Sequence, residues 1–172
     1  MIVVVGGKIA SGKSTLAKRL SQKLGFSHVS AGSVMRKMAS ERGMTLVEFS
    51  EYAEEHPEVD KEIDERQKAE AVGDCIVDGR LSAYFVDADL KILLTAPIDV
   101  RAKRVFERDG NFESFEDAKR ALEARENSEK KRYRDFYGID LDDTSVYDVV
   151  IDTEMCGKDE MVEVSLREIA GL

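Results

Sequence analysis

The chain has 172 residues and a formal net charge of −9, with 42% hydrophobic and 35% charged residues. This length suits one domain with its own core, and the acidic balance argues against binding of nucleic-acid polymers, which require an excess of Lys and Arg. No apolar run approaches the roughly 18 residues that span a bilayer, no charged leader precedes the first apolar run, and Cys75 and Cys156 form no metal or disulfide pattern.

Short apolar runs alternate with segments of helical periodicity along the chain. A helix is predicted from Lys13 to a stop at Gly25, with leucines at four-residue spacing, and a last amphipathic helix near residues 160–169. Five runs are predicted as strands: residues 2–5, 26–30, 75–77, 90–94 and 146–151. This alternation predicts an α/β fold, a three-layer sandwich built on a five-stranded, parallel, doubly wound sheet.

Two segments are expected to be insertions on this core. Residues 33–72 have helical periodicity, with breaks near Gly43 and at His56-Pro57 and a capping box that starts at Thr45. Residues 108–135 form the second segment. The core is therefore expected to comprise residues 1–32, 73–107 and 136–172.

The strongest motif is a glycine-rich loop between the first strand and the first helix. Glycines let successive backbone N–H groups turn toward one phosphate, and the following helix presents its positive end to the same anion. Lys13 adds a charge, and the Ser14 hydroxyl is placed to bind Mg²⁺. The residues assigned to binding ATP are Gly7, Lys8, Ile9, Ala10, Ser11, Gly12, Lys13, Ser14 and Thr15. The alternative interpretation is a glycine-rich turn with a surface lysine.

A second anion site is predicted where the second and third strands end. Ser30 and Gly32 precede a helix that carries Arg36, so backbone amides and a guanidinium group could meet there. Asp78-Gly79-Arg80 closes the third strand at the edge where open α/β sheets bind ligands. In this position Asp78 could hold a magnesium-bound water, and Arg80 could pair with an acceptor phosphate. Ordinary turns with solvated side chains are the alternative.

Charge is distributed unevenly along the chain. Residues 101–134 contain eleven basic and eight acidic side chains, whereas residues 41–70 contain four basic and eleven acidic ones. Arg101, Arg104 and Arg108 fall on one helix face, and Arg125 and Arg132 repeat the seven-residue spacing. Arg101 and Arg104 are assigned to substrate binding. Solvated helix faces are the alternative interpretation.

Arginines on a mobile segment would suit phosphoryl transfer. Catalysis of this reaction consists mostly of positioning and charge stabilisation, and water must be excluded so that ATP is not hydrolysed. Residues 108–135 are therefore predicted to form a lid that closes over both substrates.

The motifs resemble those of the nucleoside monophosphate kinases, and most closely the archaeal-type cytidylate kinases. The resemblance runs through almost the whole chain. Its segments are, in order, residues 7–14, Ser30-Ala31-Gly32 with Arg36, residues 78–81, residues 88–92, Ala96-Pro97, Arg101, Arg104, Glu126, Ser128, residues 130–133, residues 137–140 and residues 147–153. The phosphate loop is generic to the P-loop NTPase superfamily, whereas the last three segments are more particular to the cytidylate branch.

The resemblance implies phosphate transfer from ATP to CMP or dCMP, a monophosphate-binding insertion at about 33–72 and an arginine-bearing lid. It further implies that Arg36 and Arg80 bind the acceptor phosphate. Arg125 and Arg132 would act with Lys13 on the transferred group, and Asp152-Thr153 would lie near the adenine. A monomeric cytosolic enzyme is expected.

The loop departs from the common family pattern Gly-x-Pro-Gly-Ser-Gly-Lys, because Lys8, Ile9 and Ala10 occupy its middle. The bulkier Ile9 and the charged Lys8 could alter nucleotide affinity. Preference for CMP over UMP or AMP rests on overall likeness. A small P-loop kinase acting on another metabolite and a non-catalytic nucleotide-binding regulator are the alternatives.

Overall fold

A computed structural model describes the backbone of residues 1–172 and all side chains except those of Leu46, Val47 and Ser50. Over these residues the chain forms a single sheet surrounded by helices. The strands are β1 (Ile2–Gly7), β2 (Ser27–Ser30), β3 (Cys75–Asp78), β4 (Leu90–Thr95) and β5 (Val149–Asp152). The helices are α1 (Lys13–Leu24), α2 (Ala31–Glu41), α3 (Leu46–Glu55), α4 (Glu58–Glu70), α5 (Ser82–Phe85), α6 (Ile98–Asp109), α7 (Phe115–Tyr137) and α8 (Lys158–Ala170).

The five strands form one parallel sheet in the order β2-β3-β1-β4-β5. This arrangement confirms the fold predicted from the sequence. Strand β1 lies at the centre of the sheet. The chain places β2 and β3 on one side of β1 and then reverses direction to place β4 and β5 on the other side. Such a reversal opens a crevice at the carboxyl ends of the strands, and the loop after β1 lies there.

The two faces of the sheet bury separate hydrophobic clusters. Because side chains alternate along a strand, Val4 packs with α2, α3 and α4, whereas Val3 and Val5 pack with α1 and α8. All three valines are fully buried. Helices on both faces explain why β1 is a continuous apolar run rather than an alternating one.

Residues 33–72, expected from the sequence to be an insertion, contain the predicted helices and breaks. Helix α2 ends before Gly43, α3 begins at the capping box of Thr45 and Glu48, and α4 begins after Pro57. The segment 108–135 starts in the last turn of α6 and ends near the end of α7, so most of it is one long helix.

The fifth strand begins later than its apolar run suggested. It starts at Val149 rather than at residue 146, because Tyr147 closes a turn by donating its amide hydrogen to Thr144 O. The ring of Tyr147 lies where a side chain on Gly6 would have to be. Close packing against β1 therefore takes these residues out of the strand.

Cys75 is buried in the sheet and Cys156 is half-buried, and both are free thiols. Among the described helices none has both the length and the apolarity needed to cross a membrane. The side chains that the structure describes include no group of three or more His, Cys, Asp or Glu residues arranged to hold a metal ion.

Candidate active site

The loop between β1 and α1 has the backbone conformation of a phosphate cradle. Gly7, Ala10 and Gly12 have φ angles of 141°, 58° and 107°. Gly12 caps α1 without any side-chain hydrogen bond, which leaves the first amides of the helix available to an anion. Ser11 is fully buried, and its hydroxyl has no hydrogen-bond partner among the described residues. An unpaired buried hydroxyl and free amides fit the oxygens of a bound phosphate chain.

Close packing requires glycine at position 7 and explains the apolar residue at position 9. A Cβ on Gly7 would collide with the carbonyl oxygen of Leu94, since Gly7 ends β1 directly beside this residue of β4. The side chain of Ile9 turns away from the cradle and packs with Ala102 and Leu122, from α6 and α7. Ile9, one of the residues that depart from the family pattern, therefore packs the loop against these two helices. Lys8, another of them, forms an ion pair with Asp142 at 3.1 Å.

Lys13 is held inside the loop. It is half-buried, and its ammonium group donates a hydrogen bond of 2.7 Å to Lys8 O. Burial, together with the positive charge of Arg80, lowers the pKa of Lys13 to about 7, although the negative charges of Asp78 and Glu129 oppose the shift. A phosphate bound in the loop would supply the counter-charge that this ammonium group lacks.

Ser14 and Asp78 form the site expected for magnesium. Ser14 Oγ donates to Asp78 Oδ2 at 2.9 Å, and His28 Nε2 lies 2.6 Å from Asp78 Oδ1. Asp78 is 4% exposed. Oxygen ligands of this kind suit Mg²⁺, which takes its remaining ligands from substrate phosphates and water. The pair fits that ion.

Gln67 and Ser82 hold the end of β3 in place, a role that sequence reasoning missed. Gln67 Nε2 donates to Asp78 O at 3.0 Å, and Ser82 Oγ donates to Gln67 Oε1 at 2.5 Å. A Cβ on Gly79 would collide with Ser82 Oγ, so glycine is required here. The one sequence feature that could have indicated this role is Gln67 itself, an uncharged polar residue on the apolar face of the highly charged helix α4.

The start of α2 offers a second anion site. Ser30 Oγ accepts from Ser33 N in a capping box, so this hydroxyl serves the helix rather than standing free. Gly32 is exposed, and a Cβ on it would lie 3.6 Å from Arg36 Nη1, which shows that the guanidinium folds back over the first turn. Free amides and an exposed arginine together suit a phosphate.

Arg101 and Arg104 of α6 donate hydrogen bonds to backbone carbonyl groups of the phosphate loop. Arg101 is 4% exposed, donates to Ile9 O at 3.2 Å and pairs with Glu126. Arg104 Nη1 donates to Ala10 O at 3.0 Å and to Thr153 Oγ1 at 2.9 Å. Both guanidinium groups are engaged with loop carbonyls in this structure. Their assignment to substrate binding stays a prediction.

The remaining predicted arginines meet acidic side chains under α7. Arg80 Nη1 lies 2.8 Å from Glu129 Oε1, and Arg125 Nε lies 3.2 Å from the same oxygen. Arg132 Nε lies 2.6 Å from Asp60 Oδ2 and its guanidinium stacks over the ring of Tyr133. Helix α7 thus brings Arg125 and Arg132 to the end of β3 and to α4.

Two cavities open at this edge of the sheet. One, of about 400 Å³, has the phosphate loop at its base. It is lined by residues 10–15, Arg104, Arg108, Thr153, Cys156, Lys158 and Met161. The other, of about 470 Å³, lies under α7 and includes Arg80 and Glu129 in its wall.

A parallel sheet of this order, a glycine-rich cradle and a Ser–Asp pair beside it define the P-loop phosphotransferases. Residues 2–155 match the model of the cytidylate kinase-like family, and the chain belongs to that family. It is a nucleotide kinase, as the motifs predicted.

Relatives of similar length are named cytidylate kinases. The chain is 49% identical to the cytidylate kinase of Methanothermobacter thermautotrophicus over 155 residues, which cover 89% of this chain and 95% of that protein. It is 44% identical to the cytidylate kinase of Methanopyrus kandleri over 176 residues, 95% of this chain and 90% of the other. Shikimate kinase from Bacteroides thetaiotaomicron has the same fold, with a TM-score of 0.67 at 14% identity, covering 100% of this chain and 99% of that one.

Proposed function

We propose that this protein phosphorylates CMP or dCMP to the diphosphate, with ATP as the phosphate donor and direct in-line transfer. One observation carries this proposal: Ser14 Oγ, at the end of the phosphate loop, donates a hydrogen bond of 2.9 Å to Asp78 Oδ2 at the end of β3. The loop and the end of β3 therefore form one site. The cytidylate kinases of M. thermautotrophicus and M. kandleri support cytidine nucleotides as the acceptor class.

The amides of residues 7–15 would hold the phosphates of ATP, and the cavity beside Arg104 and Thr153 would hold the adenosine. Ser14 would bind Mg²⁺ directly, and Asp78 would hold one of its waters. Bound there, the ion neutralises charge on the terminal phosphates. The geometry of the Ser14–Asp78 pair supports this assignment.

The acceptor phosphate would lie between the first turn of α2 and the end of β3. Arg36 and the amides near Gly32 would contact it from one side, and Arg80 from the other. Gly79 would let the phosphate approach the backbone. Guanidinium groups suit this task because their paired N–H groups match two phosphate oxygens.

Lys13, Arg125 and Arg132 would stabilise the transferred group. Charge spreads over its three equatorial oxygens in the transition state, so fixed cations lower the barrier without covalent chemistry. Arg125 and Arg132 belong to α7, which forms most of the proposed lid.

We further propose the division predicted from the sequence, with a monophosphate-binding insertion at 33–72 and a lid at 108–135. Substrate-dependent closure would protect the connection between α6 and α7 from proteases. Cleavage there that saturating ATP and CMP leave unchanged would contradict the lid.

A cytosolic monomer is the proposed state of the enzyme. ATP is a cytosolic substrate, and a half-buried free thiol such as Cys156 is compatible with a reducing compartment. Sedimentation of the purified protein at several concentrations would test the monomer.

The decisive experiment measures ADP formation with ATP, Mg²⁺ and one of CMP, dCMP, UMP, AMP or GMP. The expected result is turnover that depends on the acceptor and is fastest with CMP or dCMP. Loss of turnover in Lys13→Ala, with a folded protein, would assign the activity to this site. ATP binding without turnover on any acceptor would indicate a regulator instead.

A further inference from the structure

Two acidic side chains contact three of the four arginines that are expected to bind phosphate. Glu129 Oε1 contacts both Arg80 and Arg125, at 2.8 and 3.2 Å. Asp60 contacts Arg132 at 2.6 Å. Each of these guanidinium groups has an anionic partner supplied by the protein.

The Glu129 contact is buried but incomplete. Glu129 is 6% exposed, and the side chain of Arg80 is 24% exposed. Arg80 Nε is buried, yet it has no hydrogen-bond partner among the described residues. One carboxylate oxygen therefore serves two arginines and leaves a donor unused. A phosphate, with three oxygens, would satisfy more of these donors than the carboxylate does.

We propose that Glu129 is a positioning residue that takes the place of the acceptor phosphate on Arg80 until the acceptor binds. The inference rests on the proposed phosphate-binding role of Arg80. When the dianionic phosphate arrives, Arg80 transfers its hydrogen bonds to it, and Glu129, repelled by the new charge, gives up that contact. Asp60 of α4 likewise pairs with Arg132 of α7.

The electrostatics of the cleft explain why such a residue is needed. The positive charges of Arg80 and Lys13 lie close together, and Arg80 and Arg125 share one oxygen of Glu129. Without an acidic partner, the cations at this partly buried edge would repel one another and destabilise the folded protein. Glu129 offsets this repulsion and keeps each guanidinium in place. The consequence is competition, because every acceptor molecule must displace a carboxylate from Arg80.

Glu129→Gln removes the competing charge and keeps the shape of the side chain. With the phosphate loop filled by magnesium and a non-hydrolysable ATP analogue, we expect this variant to bind inorganic phosphate roughly tenfold more tightly than the unmodified protein, because the phosphate no longer competes with a carboxylate charge for Arg80. Calorimetric titration measures the change. In steady-state assays the KM for CMP should fall while the KM for ATP stays within about twofold.

Three variants serve as controls. Glu123→Gln removes an exposed charge from the same helix and should leave phosphate binding unchanged. Glu129→Asp keeps the charge with a shorter reach and should behave closer to the unmodified protein. In Arg80→Met/Glu129→Gln the gain should disappear, because the double-mutant cycle assigns it to this pair.

Weaker or unchanged phosphate binding by a folded Glu129→Gln would overturn the inference, as would a gain that survives the loss of Arg80. If Glu129→Gln does not fold, Glu129→Asp carries the test, and the inference fails if its phosphate affinity falls below that of the unmodified protein. Absence of CMP turnover would refute the proposed function alone, because phosphate binding is measured without an acceptor nucleotide.

Discussion

Ser14 Oγ donates a hydrogen bond of 2.9 Å to Asp78 Oδ2, and this bond joins the first turn of α1 to the end of β3. The two residues are 64 positions apart in the chain. They meet because β1 and β3 are neighbours in a parallel sheet and present their carboxyl ends to the same crevice.

Asp78→Asn should lower kcat by roughly a hundredfold, as losses of charge-stabilising groups at phosphoryl-transfer sites typically do. The amide keeps the shape of the side chain but loses the charge that would hold a magnesium-bound water. Activity should also require more Mg²⁺. Asp135→Asn, at an exposed position, is the matched control, and an unchanged magnesium dependence in Asp78→Asn would contradict the assignment.

ATP binding should be accompanied by proton uptake near pH 8. Because burial lowers the pKa of Lys13 to about 7, this side chain is mostly neutral at that pH in the empty protein. Phosphate charge raises the pKa again, so binding draws a proton from the buffer. Calorimetry in two buffers with different ionisation enthalpies measures the uptake. It should vanish in Lys13→Met and persist in Lys18→Met, in which an exposed lysine is lost.

Asp64→Asn should stabilise the protein at neutral and alkaline pH. Burial raises the pKa of Asp64 to about 7, and the neighbouring charge of Asp60 adds to the shift. The unfolded chain therefore loses this proton at lower pH than the folded one does. The unmodified protein should lose stability between about pH 4 and pH 7.

The gain in Asp64→Asn should be roughly 1–4 kcal/mol at about pH 8 and should approach zero near pH 4. Urea unfolding at several pH values measures it. Asp64 lies near Asp60 and Tyr137, and Tyr137 also lies near Arg132. The buried oxygen Asp64 Oδ2 and the buried hydroxyl of Tyr137 both have no hydrogen-bond partner among the described residues. Glu65→Gln on the exposed side of α4 is the control, and a gain independent of pH would exclude a titrating Asp64.

Thr153→Val should raise the KM for ATP several-fold and leave that for CMP unchanged. Thr153 Oγ1 donates to Ser11 O at 2.9 Å and accepts from Arg104, so one hydroxyl links β5 to the phosphate loop. Thr153→Ser keeps the hydroxyl and should restore ATP binding. Equal effects of valine on both substrates would indicate a general loss of structure instead.

Local patterns in the sequence predicted the strands, the helix breaks and the phosphate loop, because each depends on neighbouring residues. Alternation between apolar runs and helical periodicity was enough to predict a parallel sheet, and the strand bounds differ mainly where Tyr147 turns to pack on Gly6. The capping box at Thr45 was also visible, since its two partners are three residues apart.

The partners of the arginines could not be predicted in this way. Helical spacing places Arg101 and Arg104 on one face of α6, but only the packing of α6 against the loop directs them to the carbonyls of Ile9 and Ala10. The seven-residue spacing of Arg125 and Arg132 likewise says nothing of their partners.

The sequence by itself determined the architecture and the cradle for phosphate, since backbone conformation and strand burial follow from residue type over short stretches. The tertiary structure alone decided which acid faces which arginine. Long side chains from distant segments meet at the sheet edge, and their pairing depends on how α7 lies across α4 and β3. Glu129 beside Arg80 is a consequence of that packing.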